Sequence, residues 1–388
     1  MAQHVKTVVL FSNFRPDIGG GGVILRTQIA RLQGWKVLWA YLGDGACDYK
    51  EVPTECLGAP FVGGALIADL VRSPFLWSGC LRRPVVELAQ RLAAFEPDVF
   101  WIVAMNEGTL VVPELKRLTN RPVHVSVQDD QEKGMFGRMA RYWWMARLAR
   151  TPLARALRHS DSVDVVSEGM RRYYEAEFAV SSRVTHLIMD SFQARGRIVE
   201  VDGVIKIGHI GTLYDEGVGI QFGRALRAFA RKSEKRVKWR MIGLAPKFRR
   251  LRTLYPDLIE DLGNMPESAA VDLLQDCDVV YAMYPFASNA KVFRQTSFPT
   301  KLSTYLQCGR PILAHTPEDS TLAQFVDEYK LGMVCRSLNV DAIVQDLDAA
   351  CRLEIPSDRF ATAAKVAFGP ANSKVIQDSL DLLINRKK

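Results

Sequence analysis

The stretch SFPTKLSTYLQCGRPILAH, residues 297–315, compresses a polar loop, a helix and a strand into nineteen positions. Its helical pattern, KLSTYLQC, is closed by Gly309, and Pro311 two residues on cannot continue it, the usual signals of a helix end. ILAH then reads as a buried strand. At the helix start stand Ser297, Thr300 and Lys301. Unpaired N–H groups, hydroxyls and an ammonium meet there, an arrangement suited to an anion, and Arg294 would add a second positive charge. The plainer reading is an ordinary helix cap beside a solvated lysine.

Outward from this stretch, short β-branched runs alternate with helical patterns. KTVVLFS precedes GVILRTQIARL, DVFWIVA precedes TLVVPELKRL, and SVDVVS precedes GMRRYYEAEF. Such alternation predicts an α/β fold with a parallel sheet covered on both faces. A second series of the same kind begins after about residue 200 with IKIGHIG and runs through KWRMIG, DVVYAM and GMVC. The expectation is therefore two Rossmann-like doubly wound domains facing across a cleft. The first covers 1–195 and the second 196–366, joined near DSFQARGRIVEVDG. The last amphipathic run, 367–388, would fold back, with the N-terminal domain as one candidate surface. At 388 residues the chain exceeds what one core usually serves, which agrees.

Composition narrows the function. Apolar residues make up 48% and charged residues 24%, so the chain is globular. No apolar run is long enough to span a membrane, and the N-terminal run is too short for a secretion signal. Seven scattered cysteines without a C-x-x-C pair argue against a disulfide framework or a zinc knuckle and favour a reducing, cytoplasmic setting. The formal charge of +8 suits an acidic partner, whether nucleic acid, anionic lipid or a phosphorylated small molecule.

Open parallel sheets bind ligands at the carboxyl ends of their strands, so the residues just past each strand are the candidates. After the first strand, Gly19, Gly20, Gly21 and Gly22 feed a helix, where backbone N–H groups can approach a phosphate or an acceptor. No frame of these glycines completes G-x-G-x-x-G, which disfavours a nicotinamide enzyme; a ligand-free turn is the alternative. After PVHVSVQ come Asp129 and Asp130, candidates for a general base. Helix capping or an arginine salt bridge is the competing role. Asn106 and Glu107 occupy an equivalent place, where binding of hydroxyls competes with helix capping. In the second half, Gly211 and Thr212 follow one strand, Gly243 follows another and Asn264 lies in a loop. These would line a phosphate and a base.

The order GTLY, LGNMPESAAVDLLQDCDVVYAMYPF, FPTKLSTYLQCGRPILA and TLAQFVDEYKLGMV resembles the nucleotide-sugar domain of GT-B glycosyltransferases, many of which carry P-x-K-L-x-E-Y-L-x-x-G-x-P-V. The Gly loop, the acidic pair and DSVDVVSEGMRRYY extend the resemblance over nearly the whole chain, most closely over 207–333. It implies that Lys301 neutralises the diphosphate of a donor, with Gly211 and Thr212 lining the same group. Asp129 or Asp130 would then be the base or an acceptor contact. The chain departs from the pattern in two places. Where retaining members hold two glutamates, Thr296 and Thr304 stand, and Thr304 is counted here among the donor-binding residues. GTLYDEGVG also lacks the basic pair such members carry after G-x-L.

The resemblance implies a glycosyltransferase that takes its sugar from a nucleotide donor and passes it to a hydroxyl of a glycan or lipid-linked acceptor in bacterial surface polysaccharide synthesis. It would need no cofactor, and no metal is expected. The histidines lack ligand spacing, and the D-x-D of Asp276 and Asp278 precedes its strand. The alternatives are a catalytically silent GT-B protein that binds membrane or nucleic acid, or another nucleotide-sugar enzyme such as an epimerase. Residues 137–159, GRMARYWWMARLARTPLARALRH, contain no acid and suit an anionic membrane surface on the inner face, together with LVRSPFLWSGCLRRP at 70–84. Burial of Trp143 and Trp144 in the core is the competing reading. Nucleic acid is a weaker partner, since no known binding module accompanies the segment.

Overall fold

The computed structural model describes residues 5–17, 19–59, 78, 82–138, 142–189, 192 and 203–385. Of the described residues, those up to Ile188 form one compact unit together with Gln295–Ser297 and those from Pro370 on; the remainder form a second. The expected join at 190–203 lies outside the described residues except for Phe192 and Gly203.

The first unit is a seven-stranded sheet. Its elements are β1 (Lys6–Ser12), α1 (Gly19–Ile29), β2 (Trp35–Tyr41), β3 (Thr54–Cys56), α2 (Arg82–Ala93), β4 (Val99–Val103), α3 (Glu107–Thr119), β5 (Val123–Val127), α4 (Trp143–His159), β6 (Ser162–Val165), α5 (Glu168–Phe178) and β7 (Arg183–Val184). The strands lie in the order β3-β2-β1-β4-β5-β6-β7, and every pair is parallel. Both β4 (VFWIV) and β5 (VHVSV) are buried along their whole length, as a parallel sheet covered on two faces requires. Trp39 and Trp101 are fully buried, and an indole of this size contributes about 4–6 kcal/mol of apolar burial. Gly108 permits α3 to sit against β4, because a Cβ there would lie 1.9 Å from the Val103 carbonyl oxygen.

The second unit contains β8 (Val204–Ile210), α6 (Glu216–Ser233), β9 (Arg236–Ile242), α7 (Arg249–Leu254), β10 (Ile259–Asp261), α8 (Glu267–Gln275), β11 (Val279–Met283), α9 (Lys291–Thr296), α10 (Lys301–Cys308), β12 (Ile312–His315), α11 (Thr321–Tyr329), β13 (Gly332–Cys335), α12 (Val340–Arg352) and α13 (Ser357–Phe368). Here the strand order is β10-β9-β8-β11-β12-β13, again all parallel. Its core is aromatic. Phe222 of α6 stacks on Tyr281 of β11 at 3.8 Å between ring centroids, and Trp239 of β9 meets both rings edge-on.

The final helix, α14 (Ser373–Asn385), belongs to the first unit. Ile376, Leu380 and Leu383 enter the core formed by β1, β2 and β4, and Asp381 pairs with Lys6 at 2.6 Å. In both sheets the strand order reverses beside the first strand, so the loops after β1 and β4, and after β8 and β11, flank the crevices where this class of sheet accepts ligands.

Candidate functional site

In the second unit the residues singled out in the sequence converge. Lys301 opens α10, and its Nζ donates to the Thr212 carbonyl oxygen at 3.0 Å while lying 5.2 Å from the centre of the Tyr214 ring. Gly211 sits below that amine with φ +77°, and a Cβ on it would come within 4.0 Å of Lys301 Cε and Nζ. Gly243, with φ +72°, packs beside both Gly211 and the Asn264 side chain. Its N–H donates to Gly263 O, and the Gly211 N–H donates to Ile242 O, so the two turns are tied to one another through the strand ends. Left-handed backbone at both turns is why glycine occupies them.

Burial pushes the Lys301 amine down to about 7, with no carboxylate opposing the effect. An ammonium that is disfavoured until an anion arrives is a charge held in readiness. Behind it, His209 is buried with its two ring nitrogens against the Tyr281 and Gly211 carbonyls. Burial, and then the Lys301 charge, lower its pKa to about 3. Tyr305 of α10 donates to Tyr281 O and accepts from the Ile210 N–H, which anchors the helix to the end of β8.

The remaining donor candidates fall differently. Thr300 caps α10 without a side-chain bond, and its carbonyl accepts from Ser303. Ser297 is buried and groups with the first unit. Arg294 is not a second free charge: its guanidinium is buried in a two-point pair with Asp319 at 2.6 and 3.1 Å and also donates to Ala287 O. Thr304 donates to Glu267 Oε1 at 3.1 Å. Glu267, in the first turn of α8, is therefore a carboxylate beside α10 that sequence reading missed, because thirty-seven positions separate it from Thr304. Thr296 is fully buried, and its carbonyl accepts from Ser167 Oγ. Asp276 pairs with Lys206 and Arg240, and Asp278 accepts from the Lys206 N–H, all at the amino end of the sheet. Among the described residues no group of three or more His, Cys, Asp or Glu is arranged to hold a metal ion.

In the first unit the two aspartates separate by role. Asp130 is buried and caps a π-helical turn, Gln131–Gly137, accepting from the Gly134 N–H at 2.6 Å and the Tyr174 hydroxyl at 3.0 Å. That is a structural position. Asp129 is half-buried and accepts no hydrogen bond among the described residues. Burial pushes its carboxyl up to about 6, opposed by Arg138 and reinforced by Asp130. A carboxylate near neutral pKa at the end of β5 is suited to proton abstraction. Gln128, one residue before it, donates to the Gly21 carbonyl, and a Cβ on Gly21 would overlap the Gln128 side chain at 2.3 Å. The four glycines are not a free loop: Gly19 to Gly22 form the first turn of α1, with Gly22 buried and Gly19 and Gly20 exposed. Asn106 Oδ1 accepts from Gln131, which also receives a bond from Thr109. Glu107 is wholly buried and exposes nothing to an acceptor.

No protein-family model matches the chain, and no curated protein is similar to it in sequence. Solved structures are similar in fold. The apo structure of OtsA aligns over 97% of this chain and 99% of its own at 13% identity and a TM-score of 0.67. The lipopolysaccharide outer core galactosyltransferase WaaB, in its apo form, aligns over 98% of this chain and all of its own at 12% identity and 0.63. Anabaena Alr3699/HepE, solved in complex with UDP and glucose, aligns over 97% of this chain and all of its own at 16% identity and 0.65. The chain has the GT-B fold, with parallel sheets of seven and six strands among the described residues.

Proposed function

We propose that this chain is a glycosyltransferase that takes a sugar from a nucleotide-sugar donor and passes it to a hydroxyl of a glycan or lipid-linked acceptor, in bacterial surface polysaccharide synthesis. The observation that carries this reading is Lys301 at the start of α10, its amine lowered to about 7 and held over the Gly211–Thr212 turn. An ammonium and a helix start directed at one place are suited to a diphosphate. UDP and glucose in the HepE structure, and glucose-6-phosphate in that of a trehalose-phosphate synthase from Burkholderia xenovorans, support a nucleotide sugar and a hydroxyl acceptor.

In this reading Lys301 and the amides of α10 hold the donor diphosphate and take up the charge of the leaving nucleoside diphosphate, without a metal ion or cofactor. Gly243 and Asn264 line the nucleoside, and Glu267 adds a carboxylate beside Thr304 for its hydroxyls. On the first unit, Asp129 is the group suited to take the proton of an acceptor hydroxyl. The exposed Gly19 and Gly20 contact the acceptor. A panel of nucleoside diphosphates in a thermal-shift assay tests this, repeated with Lys301→Ala. One base should stabilise the native chain and the variant should lose that response. Equal, weak responses to every base in both proteins would refute donor binding and favour a silent member of the fold.

A further inference from the structure

One face of α4 combines exposed aromatic and basic residues. Trp143, Trp144, Arg147, Thr151, Arg155 and Arg158 recur at helical spacing and are exposed, while Met145, Ala149, Leu153 and Ala156 on the opposite stripe are buried. Trp143 is 58% exposed and Trp144 36%, so the competing reading of these indoles as core does not hold. The arginines sort by face. Arg150, at the edge of the exposed stripe, is neutralised by Glu132 and Glu177, each at 3.0 Å. Arg147, Arg155 and Arg158 form no ion pair with any described residue, and no acid occurs anywhere in 137–159.

Two exposed indoles at one end of a helix and three unpaired guanidinium groups along the same stripe form a surface complementary to an anionic interface. Trp143 presents an apolar body and an N–H donor to the headgroup layer, Trp144 adds its exposed apolar surface, and the arginines meet phosphates there. Eleven residues separate Arg147 from Arg158, about 16 Å of helix, a span that several lipid headgroups would fill. The tryptophans follow the π-helical turn that leaves the carboxyl end of β5, the end that carries Asp129. We propose that this face of α4 docks the chain on an anionic lipid bilayer. Resting on the glycosyl-transfer reading above, it would bring the end of the sheet with Asp129 toward an acceptor anchored in that bilayer. The segment 70–84, the other stretch read as basic and aromatic, lies outside the described residues except for Ser78 and residues 82–84.

The test is flotation of the full chain with vesicles of phosphatidylcholine alone and of phosphatidylcholine with phosphatidylglycerol, read without any activity assay, so that it stands or falls apart from the transferase reading. Native protein should float with the anionic vesicles at about 0.1 M salt and be released toward 1 M, where screening shortens to about 3 Å. Arg147→Gln, Arg155→Gln and Arg158→Gln should each weaken binding about fivefold, and together roughly a hundredfold. Trp143→Ala should weaken it while leaving its salt dependence in place. A control with Lys36→Gln, Lys50→Gln and Arg172→Gln removes the same charge from exposed positions elsewhere on the unit and should bind like the native chain. Native protein that stays at the bottom of the gradient with both vesicles would overturn the proposal. So would equal loss in the control, or tighter binding to a single-stranded oligonucleotide than to the vesicles.

Discussion

Replacing Lys301 with methionine should separate binding from stability. The amine, with a pKa of about 7, is about one-tenth protonated at pH 8. A diphosphate beside it should restore the ordinary lysine value of 10.5, so binding at pH 8 should take up about 0.9 proton. The ligand's terminal phosphate, with a pKa near 6, is already ionised there, and His209, lowered to about 3, stays neutral. Isothermal titration in two buffers of different ionisation enthalpy reads this uptake directly. Native affinity should fall about tenfold per pH unit above 7. Lys301→Met should bind about ten- to 150-fold more weakly at pH 7, the worth of a charged hydrogen bond, with no proton uptake and no slope. Stability should move the other way. The folded amine binds fewer protons than the unfolded one between pH 7 and 10.5, so the native chain carries the full cost of the buried ammonium below pH 7 and sheds it as pH rises. The variant should therefore be the more stable protein at pH 6, less about 1 kcal/mol for the lost bond to Thr212, and should lose that advantage by pH 10. Unchanged proton uptake in Lys301→Met would refute the reasoning.

Asp129→Asn should lower kcat about 10²- to 10⁴-fold and leave nucleotide affinity intact, and the native rate should fall as pH drops through about 6, where the carboxylate protonates. Asp130→Asn should instead cost about 1–3 kcal/mol in urea unfolding, because the Gly134 N–H and the Tyr174 hydroxyl lose a charged acceptor. Gly211→Ala should destabilise by about 1–2 kcal/mol through left-handed backbone, read as a lower midpoint in thermal unfolding. Transfer activity should survive prolonged treatment with a chelator; its loss and recovery with added divalent metal would contradict the metal-free reading.

The sheet strands were legible because parallel strands buried on both faces leave continuous apolar runs such as VFWIV and VVYAM, and the helix ends carried Gly309 and Pro311 as local stops. That Gly211, Gly243, Asn264 and Lys301 lie close together was legible for the same reason: each follows or caps an element whose position that periodicity set. Arg294 was misread because its partner, Asp319, lies twenty-five residues on and beyond a strand. Nothing in local spacing distinguishes a charge offered to a ligand from one already neutralised. The split between Asp129 and Asp130 was likewise hidden, since it depends on Tyr174 arriving from α5. The same holds for Glu267, brought to Thr304 by the packing of α8 on α10. Nor did the glycine run announce that it would become the first turn of α1, with Gly21 packed against the Gln128 side chain.

The most direct test is a crystal structure of the chain soaked with the nucleoside diphosphate that stabilises it best. The β-phosphate should lie about 2.7–2.9 Å from Lys301 Nζ, above the Gly211–Thr212 turn, with the bond to the Thr212 carbonyl given up. A nucleotide bound away from α10, or Lys301 still bonded to Thr212 with the ligand present, would contradict the account.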